Sequence, residues 1–196
     1  MPKVTEAYRV ARRDEIIDAA TRCFAARGYQ RTSMADIIDE AGLSAGAIYG
    51  HFAGKKELFA AVAGRVLEAR RSELAARSAD REPLSPGEVM AVLIEGIRRE
   101  KFSGVIVQLW AEAAVDPEIR ALVSGVLLRV RETVQARVAE WAAAVPGRVD
   151  GDPEAWAARV TPVVMGLAPG FMIQRAIAPE FDEAGYIAAL PEILPR

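Results

Sequence analysis

One cysteine and one histidine are all that this 196-residue chain contains. Cys23 alone makes no internal disulfide, and with His51 it is too little for a His/Cys metal cluster. In a helical pattern beside Phe24, Cys23 reads as a small core residue. A Ser-His-Asp triad would have to use His51. No GxGxxG or Walker loop occurs. A carboxylate acid/base pair is the one catalytic arrangement that composition leaves open. No charge of one sign dominates: net charge is −2. Aromatic residues are sparse, at 7%, so rings cannot fill the core by themselves. The N-terminus is charged where a signal peptide would be apolar, and no uninterrupted apolar run reaches the ~20 residues of a bilayer span. The expectation is a soluble cytoplasmic protein, not an enzyme, with no metal, cofactor or membrane partner.

What is present is helical periodicity. Residues 9–27 carry Ile16, Ala20 and Phe24 four apart, with Ile17 beside them, and Gly28 follows as a left-handed stop. Thr32 or Ser33 caps a second helix with Met34, Ile37, Ile38 and Ala41 inward, and Gly42 breaks it. Ser44 caps a short third helix with Ile48 and Phe52 as its buried pair. A long fourth helix runs from Lys55 to about Ser78. Ser85-Pro86-Gly87-Glu88 is a helix start with serine at N-cap and proline at N1. Further helices are read from Phe102 to Val115, along the Val-rich stripe from Ile119 to Trp141, from Pro153 to about Ala178, and from Glu183 to Leu190. Pro162 and Pro169, beside Gly166 and Gly170, should bend or break the long helix that holds them. No period-two pattern appears. The predicted fold is all-α, with about nine or ten helices: a three-helix head over residues 1–54 with a helix-turn-helix, and a larger helical regulatory body over 55–196.

The head carries the chemistry. At ~100° per residue, Ile48 and Phe52 share the buried side of the third helix, and Gly46 and Gly50 face away. Two such glycines cost about 1 kcal/mol each relative to alanine, a cost that close approach of the backbone to another surface would justify. Thr32, Ser33 and Ser44 sit at helix N-termini, where free N–H groups and a hydroxyl suit a phosphate oxygen. Lys55 can reach a neighbouring phosphate. Tyr49 and His51 offer hydrogen-bonding tips, and Ala47 and the Tyr49 ring suit thymine methyls. Singly, each has a plainer role as cap, packing residue or surface histidine. Together, at this spacing, they read as a helix-turn-helix that presses its short helix into the major groove. Charge permits it: residues 1–58 hold nine Lys and Arg against eight acids, and the remainder holds 16 against 19.

Phe24, Gly28-Tyr29, Thr32-Ser33-Met34, Ile37, Ala41-Gly42-Leu43-Ser44, Gly46, Ile48-Tyr49, His51-Phe52, Lys55 and Leu58 together resemble the DNA-binding head of the TetR family of repressors, over about residues 12–60. The resemblance implies an all-helical homodimer that binds double-stranded operator DNA. It implies that Thr32, Ser33, Ser44, Ala45 and Gly46 lie at or near that DNA, with Ala47, Tyr49, Gly50, His51 and Lys55. Gly50 stands where the family often has a larger aromatic residue, and Lys56 where an acid is common, so no relative's operator carries over. The resemblance also implies that the helices of about 117–144 and 153–178 pair with a second copy. It further implies that the body holds a small effector in an apolar cavity. The apolar stripes suggest Met90, Ile94, Phe102, Ile106, Leu109, Trp110, Met165 and Phe171 as lining, with Gln108 and Gln174 as polar members. An apolar or weakly polar effector is expected to release a palindromic operator by changing the spacing of the two heads. Two other readings stay open: the same regulator controlled by a protein partner, and an all-α enzyme built on paired carboxylates. Alanine at Tyr49 or Lys55 is expected to weaken DNA binding and leave folding intact.

Overall fold

The structure is a computed structural model that describes residues 5–78, 82–99 and 103–194. These form ten helical segments and no strand: α1 (Glu6–Arg27), α2 (Met34–Ala41), α3 (Ala45–Tyr49), α4 (Lys55–Ser78), α5 (Pro86–Arg99), α6 (Ser103–Ala113), α7 (Pro117–Ala144), α8 (Pro153–Met165), α9 (Leu167–Ile177) and α10 (Glu183–Ile193). The all-α expectation holds. Phe102, expected in the cavity lining, lies outside the described residues.

The punctuation of the sequence sets most boundaries. Thr5 accepts a hydrogen bond from the Tyr8 amide, so α1 begins before Arg9. Ser33, not Thr32, caps α2 in a full capping box with Asp36. Gly42 ends α2 at φ +64°, a left-handed conformation that glycine adopts at little cost. Ser85 and Glu88 form the reciprocal pair that opens α5. Asp116 and Asp152 cap α7 and α8, each followed by proline in the first turn. The expected bend after Pro153 falls at Gly166, a single turn residue in right-handed helical conformation between α8 and α9. Pro162 stays inside α8, whereas Pro169 sits in the first turn of α9, where a missing N–H costs nothing.

Two cores result. One joins the head (Ile16, Ile17, Phe24, Ile37, Ile48 and Phe52) to Leu58, Phe59 and Val62 of α4 and to Val105, Leu109, Ile119 and Val123 of α6 and α7. The other packs Leu74 against α5, α7, α8, α9 and α10. Helix α4 therefore contributes to both. At the head, Phe24, Tyr29 and Phe59 form a ring triangle with centroids 5.2–5.8 Å apart. In the body, Phe171, Phe181 and Tyr186 form a second one at 5.5–5.6 Å, closed by the Tyr186 hydroxyl donating to the Leu167 carbonyl at 2.8 Å.

One expectation is corrected here. Helices α8 and α9 are continuous enough that Pro153–Ile177 forms a 25-residue stretch with a window of mean hydropathy 1.3, long and apolar enough to cross a membrane by length and composition. Counting uninterrupted apolar residues missed it, because helical continuity across Gly166 joins two shorter runs. Only 22% of that window is buried.

Phe24 is 1% exposed and lies at the centre of the first core. Phe24→Ala should cost about 3–5 kcal/mol, read as a lowered denaturant midpoint with an unchanged slope. A loss below about 1 kcal/mol would place the head's core elsewhere.

Candidate nucleic-acid interface and effector cavity

Helix α3 is short, and its orientation is set from beneath. Ile48 is fully buried and Phe52 is 1% exposed, and the Arg13 guanidinium covers the Phe52 ring at 5.1 Å from its centroid. Ser44 caps the helix by accepting from the Ala47 amide at 3.2 Å. On the opposite side the surface is bare. Ala45, Gly46 and Gly50 are exposed, Tyr49 is 52% exposed, and Ala47 and His51 are half-buried. A Cβ built on Gly46 meets no heavy atom within 4 Å, so the glycine leaves open space outside the chain. Ser33 is exposed at the start of α2. Its hydroxyl and amide, joined by Arg27, hold the Asp36 carboxyl below the usual carboxylate range and so fix the α2 entry.

Two expected contact residues stand differently. Thr32 is 1% exposed. Its hydroxyl donates to the carbonyls of Gly28 at 2.7 Å and Cys23 at 3.2 Å, and its amide donates to Tyr29. It locks the α1–α2 turn and has nothing left for a phosphate. Lys55 turns inward. Its ammonium donates to the carbonyls of Tyr29 at 3.0 Å and Gln30 at 3.3 Å and lies 4.5 Å from the centroid of the Tyr29 ring. Burial pushes its pKa below the ordinary lysine value. The Tyr29 carbonyl also accepts from the Thr32 amide, so the half-buried lysine adds a charged donor to a turn that is already closed by one backbone bond. Lys56 is paired with Glu118, which offsets the charge it adds to the head.

The head is tied to the body at the same turn. Gln30 donates to Glu112 at 2.7 Å, and a Cβ on Gly28 would come within 2.9 Å of the Gln108 side-chain oxygen. A polar groove of about 320 Å³ on the head, lined by Arg22, Arg27, Asp36 and Glu40 among others, is spanned by the Arg22–Glu40 and Arg27–Asp36 ion pairs.

The body holds an apolar cavity of about 190 Å³ between α4, α5, α6, α7, α9 and the end of α8. Of the residues singled out from sequence, Met90, Ile106, Leu109, Trp110 and Met165 line it. Four others do not. Ile94 is fully buried in the body core. Phe171 is consumed by the second ring triangle. Gln108 is exposed beside the α1–α2 turn, and Gln174 is exposed and donates to the Gly170 carbonyl. Sequence reading missed Phe59, Arg70, Val123 and Met172, which do line it. Arg70 gives no sequence signal: one arginine among many on α4 reads as solvated. Pro169 lines the cavity, while Pro162 is exposed. Among the described residues no group of three His, Cys, Asp or Glu is placed to hold a metal ion.

Residues 16–62 match the profile described as bacterial regulatory proteins, tetR family, and residues 88–195 match the BetI-type transcriptional repressor C-terminal domain. The chain belongs to the TetR family of transcriptional regulators. Its relatives include the HTH-type transcriptional repressor AcnR of Corynebacterium jeikeium, 31% identical over 79% of this chain and 77% of that one. An HTH-type transcriptional repressor of Mycobacterium tuberculosis is 46% identical over 63 residues, 32% of this chain and 34% of that relative. Among solved TetR-like folds, the regulator FadR of Bacillus subtilis, in complex with stearoyl-CoA, superposes with a TM-score of 0.69 at 16% identity, covering 93% of this chain and 97% of that one. A regulator from Saccharomonospora viridis in complex with choline gives 0.63 at 23%, covering 92% and 93%.

The geometry separates two residues that the sequence grouped. Tyr49→Ala should change stability by less than about 0.5 kcal/mol. Lys55→Ala should cost about 1–3 kcal/mol, because two turn carbonyls lose a charged donor. Thermal unfolding of the two variants checks this. Equal melting temperatures would mean that the lysine does not staple the turn, and the earlier expectation of intact folding would stand.

Proposed function

We propose that this TetR-family chain is a repressor that binds a palindromic operator as a homodimer and is released by a small molecule in the body cavity. The observation that carries the DNA reading is the empty space outside Gly46, backed by a helix whose other side is wholly buried. A duplex needs a reading helix with a fixed angle and a bare outer face. Ser33, Ser44, Ala45, Gly46 and Ala47, with Tyr49, Gly50 and His51, form the proposed contact surface. Lys55 acts from behind it by holding the turn, and Thr32 is withdrawn from the contact set. Residues 1–54 are the reading head and 55–196 the sensing and pairing body, with α4 as the arm between them. Cytoplasmic residence follows from this role.

The pairing surface is proposed on α7 and on α8–α9. Val163 and Ile177 are 74% exposed, Leu128 56% and Ile173 44%, on a stretch whose apolar window is mostly uncovered in one chain. Exposed apolar side chains on these helices suit a partner, and a second copy supplies it symmetrically. Related folds that hold stearoyl-CoA and choline support a small-molecule effector over a protein partner. So does an apolar cavity with few polar groups. The mechanism is a two-state balance. The heads match successive major grooves at about 34–36 Å, the effector favours another spacing, and only its differential affinity for the two states moves the equilibrium.

Gly46→Leu tests the reading directly. The added Cβ meets nothing in the protein and leucine is the better helix former, so the fold should be intact, with a melting temperature equal or higher. Operator affinity, measured on a fragment recovered by genome-wide capture, should fall more than about tenfold. Wild-type binding itself should weaken steeply between about 50 and 200 mM salt. Normal binding by Gly46→Leu removes α3 from the interface, and release by a protein but by no small molecule favours the partner-controlled alternative.

A further inference from the structure

The cavity is apolar except at one point. Among the described residues that line it, only Arg70 is ionisable. The Arg70 Nε and Nη1 atoms are buried and have no hydrogen-bond acceptor. The nearest carboxylate is that of Glu73, with Oε2 3.0 Å from Nη1 but out of line for a hydrogen bond. Glu73 does not depend on Arg70, because Arg77 reaches it at 3.0 Å and Arg99 lies 3.8 Å away. Room for the guanidinium is built in: a Cβ on Gly96 would sit 2.3 Å from both Arg70 Cδ and Nη1. Helix α5 thus leaves a slot through which Arg70 crosses at the edge of the cavity.

Buried cationic donors without acceptors are costly, and the cost is recovered when an acceptor arrives. The planar fork of arginine matches a carboxylate with two parallel hydrogen bonds. We infer that the cavity takes an apolar molecule ending in a single carboxylate, with Arg70 as its anchor. This narrows the expected apolar or weakly polar effector to an amphipathic acid, and it rests on the effector reading above. A monoanion fits better than a phosphate, since the described lining offers one cation and Glu73 beside it already offsets part of that charge. The aliphatic part lies along Met90, Ile106, Leu109, Trp110 and Met165.

Titration calorimetry of the full chain without DNA, using decanoate and decan-1-ol as matched probes, tests this. Wild type should bind the acid at least about tenfold more tightly than the alcohol. Arg70→Met should bind the two equally, with alcohol affinity little changed, and Arg70→Lys should keep part of the preference. Where Arg70→Met fails to fold by circular dichroism, Gly96→Ala, which displaces the guanidinium, should likewise lose the preference. No binding of decanoate, equal binding of acid and alcohol by wild type, or a preference that survives loss of Arg70 overturns the assignment. Operator release is measured separately. Decanoate that binds through Arg70 without releasing DNA refutes the effector reading and leaves this site standing. Release by uncharged molecules with no acid preference does the reverse.

Discussion

Phe59 is the residue on which head and body both depend. Its ring closes the triangle with Phe24 and Tyr29, and its other side forms part of the cavity wall. The triangle seats α1 on α4, and Lys55, over Tyr29 and bound to the turn carbonyls, prevents the α1–α2 turn from opening. Rings at these separations contribute more than area burial alone, and the lysine adds a charge-assisted hydrogen bond to each of the two turn carbonyls. The angle at which α3 leaves the head is inherited from that turn through the Ser33–Asp36 box and α2. A bare face on α3 has use only because this chain of contacts fixes where the face points.

The head was legible in the sequence because its signals are local. Ser33 with Asp36, Gly42, and Ser44 before Ile48 and Phe52 are caps, stops and periodicities decided within a few residues. What local signals do not carry is the direction of a polar side chain. Thr32 and Ser33 are adjacent, and either can cap. Only the packing of the turn against α1 sends Thr32 inward to the Gly28 carbonyl and leaves Ser33 outside. Lys55 reads as a surface cation at a helix start, yet carbonyls from residues 25 and 26 positions earlier claim it, and no helical spacing predicts such a pair.

The body was legible as helices and only half legible as a cavity. Met90, Ile106, Leu109, Trp110 and Met165 were found because apolar periodicity identifies inward faces. The same signal does not say whether an inward residue meets a void or another side chain. Phe171 meets Phe181 and Tyr186, brought to it by the chain reversal before α10, and so fills space that it was expected to border. Pro169 was read as a bend in the helix, and it sits in the first turn of α9 and lines the cavity. Arg70 is the opposite case, a charge that belongs to the interior because Gly96, on another helix, leaves room for it.

The two cores meet along the cavity, and this bears on how an effector would act on DNA. Phe59, Leu109 and Val123 belong to the same packed cluster as Phe24 and Ile48 while lining the cavity with Met90, Val134 and Met172 of the other. Close-packed interiors repack in discrete steps and transmit strain. A molecule that enlarges the cavity therefore displaces Phe59 against the ring triangle, or leaves it in place and separates α4 from α7. Either response moves the head relative to the body through α4, since Gln30–Glu112 and Lys56–Glu118 are exposed polar ties worth little each and yield before the apolar core does. Every ~1.4 kcal/mol of effector preference for the shifted arrangement changes the ratio of the two states tenfold. On the proposed reading, repacking around Phe59 is the step that would couple cavity and head.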